Sequence, residues 1–565
     1  MDFDYTAGNF VDMNCALAFT DTILHRREGM GVRMENVINK GYDIDKPTTE
    51  EAVFFAFFIV LSVTKGFGFY EWQKAFILLI IPAFFFGLLK IIISRYTKRQ
   101  RIIVLIMLVM TAVILYESGE VGILFVMFTI LGMKNISVDK ILRLGLWVWT
   151  VCAVLLSAAS FFMIEHTVYR VDQKLGLGYI FRWSLGFTHP NTLHTTYFAL
   201  CAYIIYELAD RFGFKQFLLL MIGNVFVFFY SISYAGFAIV AILLAGGLYA
   251  AVRPRFCLLE KALINLMLPL FLYVSFAFPL MLYSSRRLQE LNQLLTTRIY
   301  LANIYLQPEC LSPFGVRMSY LSQIRPYLSI DNSYIWALVH YGVIPFVLFI
   351  LAYFVLIVDY SRKQKTKELL LIVCYLGAGY MEPLLFNTSF KNITLLFLGE
   401  LLFRQKEGAE EYCLFPIVSA KAEMMSAALL TKIPNRIWQL SHIPARLGTV
   451  WKSQCKKILI GIAAGAVLGA VLFGCCYTIP KGYVVPRQKT GWVDKSYITL
   501  KSKDDPAYEG YKVMNYVDEK TPMQLVDGDA VTLERARYLT GSILIGGLGG
   551  YLLTVGSIFM RKEEW

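Results

Sequence analysis

The chain has 565 residues, of which 57% are hydrophobic and only 17% are charged, and its mean hydropathy is +0.55. This composition is far more apolar than that of an ordinary soluble domain, which excludes a chain whose main solvent is water. The net charge of +13 could indicate a nucleic-acid partner. However, the Lys and Arg residues lie in short loops between apolar stretches, as sorting of positive loops to one side of a membrane predicts, so no nucleic-acid partner is expected.

The N-terminal region, residues 1–51, carries charged side chains without a preceding apolar core. This pattern predicts a cytoplasmic leader rather than a cleaved signal peptide. The cysteines stand singly apart from the adjacent Cys475 and Cys476. Their spacing therefore indicates neither a disulfide framework nor a metal site.

Residues 52–403 alternate between apolar stretches and short polar loops, and stretches such as Ala262 to Tyr283 reach the roughly 20 residues that a membrane-spanning helix needs. With the N-terminus inside, the basic loops all fall on the cytoplasmic side, and the pattern predicts about 12 transmembrane helices. Four of these segments are short by the length rule, near Ala52, Val121, Leu369 and Asn392. The fold class predicted is an all-α polytopic protein of the bacterial plasma membrane with both termini cytoplasmic.

Two long loops are predicted on the outer side, residues 165–191 and 284–330. The second contains five arginines: Arg286, Arg287, Arg298, Arg317 and Arg325. A translocated loop of this size tolerates basic residues, because charge rules are weak for outer loops. The alternative is an anion site, since the planar, permanently charged guanidinium suits phosphate.

The chain changes character after Phe403. Residues 404–457 are polar and basic and predict a cytoplasmic linker, and residues 458–565 predict two further helices, 458–478 and 538–560, around a small extracytoplasmic domain at 479–537. The last helix contains four clustered glycines, Gly546, Gly547, Gly549 and Gly550. Such glycines permit close helix packing, although glycines facing lipid are also common.

The most informative run extends from Arg182 to Thr192 and reads RWSLGFTHPNT. It lies where an outer loop enters a helix. Pro190 disfavours helical geometry at His189, which predicts an extended histidine just before the helix and Asn191 or Thr192 as the N-cap. The free N–H groups and the dipole of this helix end suit an anion, with His189 beside it, whereas a capped turn without a chemical role is the alternative.

A second helix start has the same design, because Asp331-Asn332-Ser333 precedes the apolar run Tyr334 to Val358. Asp331 is either a helix cap or a base, and capping is the commoner role of Asp at such a position. His340, deeper in the same run, is interpreted as a packing group. Further on, Glu382 and Lys391 place charges beside short apolar segments, where such groups often mark a function.

An ordered set of short motifs resembles the bacterial O-antigen and capsular polysaccharide polymerases, Wzy-type proteins related to the O-antigen ligases, and especially their Gram-positive members. The motifs are Leu131-Gly132-Met133-Lys134-Asn135, the run with His189-Pro190-Asn191, the segment around Arg298, Phe314-Gly315, and Asp331-Asn332 followed by Tyr341-Gly342. They cover roughly Ala52 to Phe403. Tyr234 stands where such polymerases often carry an arginine, so that phosphate contact is not implied for this chain, whereas Arg298 is retained.

The resemblance implies a glycosyltransferase that joins undecaprenyl-diphosphate-linked oligosaccharide repeats on the outer face of the membrane, for capsule, exopolysaccharide or O-antigen synthesis. No metal, cofactor or nucleotide sugar is expected. His189 or Asp331 would be the base, and Arg298 with Arg182 or Arg317 would stabilise the departing diphosphate. Pro190, Asn191 and Asn332 would support them. A flippase and a chain-length regulator are possible protein partners.

Two other functions fit the same sequence pattern. A ligase would pass finished glycan to another acceptor by the same chemistry. A flippase or transporter would also have many helices, but its charges would line a central path within them. The layout of residues 458–565 is similar to that of a polysaccharide co-polymerase, although the segment is shorter.

Overall fold

A computed structural model describes residues 47–71, 73–162, 169–174, 178–295, 297–324, 330–404, 410–416, 418–421, 424, 443–486, 498–514, 516–526 and 528–562. Most of the expected leader and linker, together with Arg325, therefore lies outside the described residues. The chain divides into two compact units, Met1–Thr48 with Ile433–Thr449, and Thr49–Lys432 with Val450–Trp565. Of the first unit, only residues 47–48 and the helical backbone of 443–449 are described. The second unit holds all the elements discussed below except residues 443–449, which begin the helix Ile443–Cys476.

Long apolar stretches satisfy their backbone groups internally as helices, and helices make up most of the described chain. The helices of the region up to Phe403 are α1 Thr49–Gly66, α2 Lys74–Ile93, α3 Lys98–Ser118, α4 Gly122–Gly132, α5 Val138–Phe162, α6 Pro190–Leu208, α7 Phe214–Ser231, α8 Tyr234–Val252, α9 Leu258–Leu280, α10 Arg286–Leu294, α11 Arg298–Tyr305, α12 Met318–Ile324, α13 Ser333–Tyr341, α14 Val343–Arg362, α15 Thr366–Met381 and α16 Thr394–Phe403. Two more follow, α17 Ile443–Cys476 and α18 Asp529–Lys562.

Nine helices in the described parts of the chain are long and apolar enough to cross a membrane. Seven lie before residue 404, namely α2, α3, α5, α7, α8, α9 and α14, and the other two are α17 and α18. The multi-pass helical class is thereby confirmed, while the count of about 12 in the first region stays a prediction. Two of the four segments predicted to be short form α4, with 11 residues, and α16, with 10 residues.

The apolar run from Tyr334 to Val358 was predicted as one helix, and this prediction is wrong. Gly342 separates α13 from α14 with φ of +90°, a conformation that residues with a side chain rarely adopt. The turn at Pro313-Phe314-Gly315 passes against this break. Val316 N–H donates to Val339 O at 2.9 Å, and Ile344 N–H donates to Pro313 O at 3.1 Å, so the turn satisfies the backbone groups that the break frees.

The expected outer loop at 165–191 contains an antiparallel hairpin, β2 Tyr169–Lys174 and β3 Gly178–Trp183, in which Tyr169 lies opposite Trp183. A second short pair joins β1 Arg95–Tyr96 to β4 Tyr412–Cys413. The hairpin ends one residue before the turn that leads into α6. It therefore delivers Arg182 to the start of that helix.

The region after residue 476 forms a small sheet between α17 and α18. Its strands are β5 Gly482–Pro486, β6 Tyr511–Val513 and β7 Met523–Val526, in the order β6-β5-β7. β5 is parallel to β6 and antiparallel to β7. The last helix begins at Asp529 rather than at Tyr538, so the domain between the helices is shorter than the predicted 479–537. We call residues 450–562 the C-terminal module.

The two helices of the C-terminal module contact each other through glycines. A Cβ atom placed on Gly465 would lie 2.0 Å from Gly546 O, and one on Gly461 would lie 2.9 Å from Gly550 O. Three of the four glycines singled out in the sequence therefore line the contact, namely Gly546, Gly547 and Gly550. Gly549 has nothing within 4 Å of its Cβ position. Backbone approach of this kind replaces the hydrophobic driving force that lipid does not supply.

Replacing Gly465 by Ala is expected to destabilise the C-terminal module by about 1–3 kcal/mol, because the added methyl group forces the two backbones apart. The measurement is thermal unfolding of the detergent-purified protein. Gly549→Ala, on the facing helix but in open space, is the matched control and should keep the wild-type melting temperature. Equal melting temperatures for both variants would contradict the close contact.

Candidate functional site

The N-terminal end of α6 is built around His189. Its backbone is extended, with φ of −152° and ψ of 147°, as the following proline predicts. The predicted N-cap is wrong by two or three residues, because His189 itself caps the helix. Its Nδ1 accepts the N–H of Asn191 at 3.1 Å, and the helix starts at Pro190, which has no N–H to satisfy.

The engaged Nδ1 constrains the chemistry of His189. In a neutral imidazole one ring nitrogen accepts and the other carries the proton. With Nδ1 accepting from the backbone, the neutral ring carries its proton on Nε2. His189 is therefore arranged as a donor, and it can act as a base only by giving up its capping bond.

At the N-terminal end of α13, the helix cap and the candidate base are different residues, although the sequence allowed Asp331 to be either. Asn332 is the N-cap, and its Oδ1 accepts the N–H groups of Tyr334 at 2.9 Å and Ile335 at 3.2 Å. Asp331 is instead paired with Arg298, whose Nε lies 3.3 Å from Asp331 Oδ2. The cap of α13 and the candidate base are therefore two different residues, Asn332 and Asp331.

A residue outside the predicted site, Glu382, connects the N-terminal ends of α6 and α13. It lies in the loop between α15 and α16, and its Oε1 accepts a hydrogen bond from Arg298 at 3.0 Å and from Asn191 Nδ2 at 2.9 Å. Burial raises the pKa of the Glu382 carboxyl, and the charge of Arg298 opposes that rise. Ser333 fixes this loop, because its hydroxyl donates to Glu382 O at 2.7 Å and accepts from Leu385 N–H at 3.2 Å.

Arg182 completes the chain of contacts from the β3 side. Its Nη2 donates to Asn191 Oδ1 at 2.7 Å, and its Nε donates to Ser231 O at 2.8 Å at the end of α7. Arg182, Asn191, Glu382, Arg298 and Asp331 thus form one continuous series of hydrogen bonds and ion pairs, which we call the site network. It draws on β3, α6, α11 and the loops before α13 and after α15.

A third cation lies beside the site network. Lys391 is buried, and its Nζ donates to Thr192 O at 3.1 Å and to Thr195 Oγ1 at 2.8 Å in the first turns of α6. Arg182 and Arg298 are permanent cations, whereas burial lowers the pKa of the Lys391 ammonium to about 7 and raises the pKa of the Glu382 carboxyl. Two guanidinium groups next to two helix N-termini suit an anionic ligand.

Arg317, the other arginine predicted to bind diphosphate, has a different position. It donates to the carbonyls of Tyr116 at 2.8 Å and Glu117 at 3.2 Å, at the C-terminal end of α3. A guanidinium at a helix C-terminus satisfies free carbonyls and complements the dipole. This contact gives Arg317 a structural role, and its binding of diphosphate stays a prediction.

His340 is buried and stacks on Trp336 with ring centroids 4.4 Å apart, which confirms its interpretation as a packing group. Glu382 was noticed in the sequence as a charge beside a short apolar segment, but it was not placed in the site. The available signal was an acidic residue followed by proline at the end of an apolar helix. Its partners are remote in sequence, so only the fold reveals them.

The fold and this network together define a multi-pass helical membrane protein with a buried polar centre at one end of its helices. We call the end at which α6 and α13 begin the site end. No protein-family model, curated protein or solved structure matches the chain. No cluster of potential metal ligands occurs among the described residues.

Proposed function

We propose that the protein is a polysaccharide polymerase that joins undecaprenyl-diphosphate-linked oligosaccharide repeats, with the site end on the outer face of the bacterial plasma membrane. The observation that carries the proposal is the site network, in which two arginines and two carboxylates from distant parts of the chain meet beside two helix N-termini. Transfer from a lipid diphosphate needs these elements: a base, and cations for the leaving group.

The reaction forms one bond and breaks one bond. A hydroxyl of the incoming lipid-linked repeat attacks the anomeric carbon of the growing chain, and the bond from that carbon to the diphosphate oxygen breaks. The hydroxyl proton passes to a base, and undecaprenyl diphosphate leaves with the bonding electrons. One displacement inverts the anomeric carbon, and the polymer grows at its lipid-linked reducing end.

Asp331 is the base in this proposal. It is an acceptor in its ionised form, it is partly exposed, and Asn332 relieves it of capping. His189 serves as a donor to the bound substrate from Nε2, because its Nδ1 is occupied by the Asn191 N–H. Both side chains border the N-terminus of a helix, where a diphosphate gains from the helix dipole.

The arginines bind the leaving group. Arg298 holds two carboxylates, and the Asp331 contact at 3.3 Å is longer than the Glu382 contact at 3.0 Å. A diphosphate that displaces Asp331 from Arg298 frees the base at the moment the donor is bound. Arg182 donates to Ser231 O at the end of α7, three residues before Tyr234, where such polymerases often carry an arginine. Arg182 therefore supplies a guanidinium to that region.

The test is reconstitution of the purified protein in liposomes with lipid-linked repeats as the sole substrate. The expected result is a ladder of polymers with release of undecaprenyl diphosphate. A parallel assay adds a second glycan acceptor, and a single transfer to that acceptor without a ladder would favour the ligase function. Movement of the repeats across the bilayer without a new glycosidic bond would favour transport and would overturn the proposal. No metal ion, cofactor or nucleotide sugar is required in this assay.

The assignment of the base is tested by a pair of variants. Asp331→Asn removes the proton acceptor and is expected to lower the polymerisation rate by about 10²–10⁴-fold. His189→Asn keeps an acceptor for the Asn191 N–H, since Asn is a good N-cap, and is expected to lose much less. Initial rates with the same lipid-linked repeat decide between them, and a larger loss in His189→Asn would transfer the role of base to His189.

A further inference from the structure

The start of α18 packs against the strand that carries Arg182. Glu534 and Arg537 form an ion pair in this helix, and each side chain is only 2% exposed. Such a pair is costly to bury unless further hydrogen bonds satisfy both groups. The bonds that satisfy it lead to residues on both sides of Arg182.

The first set of bonds holds β3. Arg537 Nη1 donates to Phe181 O at 2.8 Å, and Glu534 Oε2 accepts from Trp183 Nε1 at 2.8 Å. The Phe181 ring also contacts Tyr483 of β5, with centroids 5.0 Å apart. Successive residues of a strand face opposite sides, so the C-terminal module holds the two neighbours of Arg182 while Arg182 itself faces the site network.

The second set of bonds holds the end of α7. Arg537 donates to Phe229 O through Nε at 2.8 Å and Nη2 at 2.6 Å, and to Tyr230 O at 3.3 Å. The hydroxyl of Tyr230 donates to Arg537 O at 2.9 Å. Tyr230 is followed by Ser231, whose carbonyl oxygen accepts a hydrogen bond from the Nε–H of Arg182.

The Arg537 guanidinium thus binds the two backbone segments, β3 and the end of α7, that orient the Arg182 guanidinium. We propose that Glu534 and Arg537 are positioning residues for Arg182, and that through them the C-terminal module sets how tightly the site binds the diphosphate of its substrate. This inference rests on the proposed function for its ligand. The planar fork of Arg537 is required, because an ammonium group cannot reach carbonyls on two segments and a carboxylate together.

The kinetic test uses Arg537→Gln in the full-length protein reconstituted with lipid-linked repeats. The KM is expected to rise about 10-fold with a smaller change in kcat, since the lost orientation weakens binding of the diphosphate. In a double-mutant cycle with Arg182→Ala, the second substitution should add nearly nothing, because both act through the same guanidinium. Additive losses would overturn the inference.

A matched control separates positioning from loss of stability. Lys90 is fully buried and paired with Glu50 at 2.7 Å, and it also donates to Lys134 O at 2.8 Å, so none of these partners belongs to the site network. Lys90→Gln should lower the melting temperature as Arg537→Gln does, yet leave KM unchanged and combine additively with Arg182→Ala. The same KM rise in both variants would overturn the inference.

A readout without catalysis keeps the two proposals distinguishable. Backbone amide exchange of residues 178–183 is expected to be about 10-fold faster in Arg537→Gln than in the wild type or in Lys90→Gln, because β3 belongs to a hairpin that depends on external contacts. Unchanged exchange would overturn the positioning role. If the wild-type protein makes no polymer, but exchange is still faster in Arg537→Gln than in the wild type, the proposed function is overturned and the positioning role is kept.

Discussion

Arg298→Ala should lower polymerisation by about 10²–10³-fold, the loss typical of removing a group that stabilises developing negative charge. Arg298 contacts both carboxylates of the site network, at 3.3 Å for Asp331 and 3.0 Å for Glu382. In the proposed mechanism, the variant removes the cation that stabilises the leaving diphosphate, and it leaves Asp331 and Glu382 without the guanidinium between them. The measurement is the initial rate of polymer formation in liposomes.

Loss of Arg298 also removes the partner of a largely buried acid, so stability has to be followed separately. Arg298→Lys retains the positive charge without the fork and should recover part of the activity at a melting temperature near that of the wild type. Arg286→Ala is the matched control in the same region. Arg286 is 92% exposed and pairs only with Glu290 at 3.2 Å in the described structure, and its loss should leave the rate unchanged. Wild-type polymerisation by Arg298→Ala would refute the assigned role.

Gly342→Ala should cost about 2–5 kcal/mol of stability, through a strained backbone conformation and a clash that cannot relax. The φ of Gly342 is +90°, and a Cβ atom there would lie 2.4 Å from the backbone nitrogens of Phe314 and Gly315 and from Pro313 O. Backbone atoms of a packed turn cannot move aside as a flexible side chain can. Thermal unfolding of the purified protein gives the effect.

Gly119 supplies a control that isolates the clash. Its φ is +73°, but nothing lies within 4 Å of its Cβ position. Gly119→Ala therefore carries only the conformational cost, about 1 kcal/mol. A Gly342→Ala variant as stable as Gly119→Ala would show that the turn at Pro313-Phe314-Gly315 does not fill the helix break.

The break at Gly342 also bears on the site. α13 is only 9 residues long, and both its ends are fixed, by the Asn332 cap at one end and by the turn at Gly315 at the other. The break makes α13 a short separate helix whose N-cap, Asn332, directly follows Asp331 of the site network. Destabilising the break should thus also disturb Asp331, which directly precedes the cap.

The structure and the sequence agree best where a single segment carries the signal. Pro190 dictates the extended conformation of His189 by local sterics, and the apolar lengths dictate helices. Local rules failed where several residues compete for one role. His189 rather than Asn191 caps α6, and Asn332 rather than Asp331 caps α13, because neighbouring polar side chains have similar cap preferences and tertiary partners decide among them.

The lengths of the apolar stretches are enough to predict a multi-pass helical membrane protein, since hydrocarbon leaves the backbone few other ways to satisfy its hydrogen bonds. The sequence also singled out Arg182, His189 and Asp331 near the starts of helices, and Arg298 in an outer loop. Three sets of contacts are visible in the folded chain alone. Arg298 pairs with Asp331 and Glu382. Arg317 caps α3, and Glu534 and Arg537 bind the strand that carries Arg182. These contacts join residues far apart along the chain, and their energies depend on burial and geometry that no local pattern encodes.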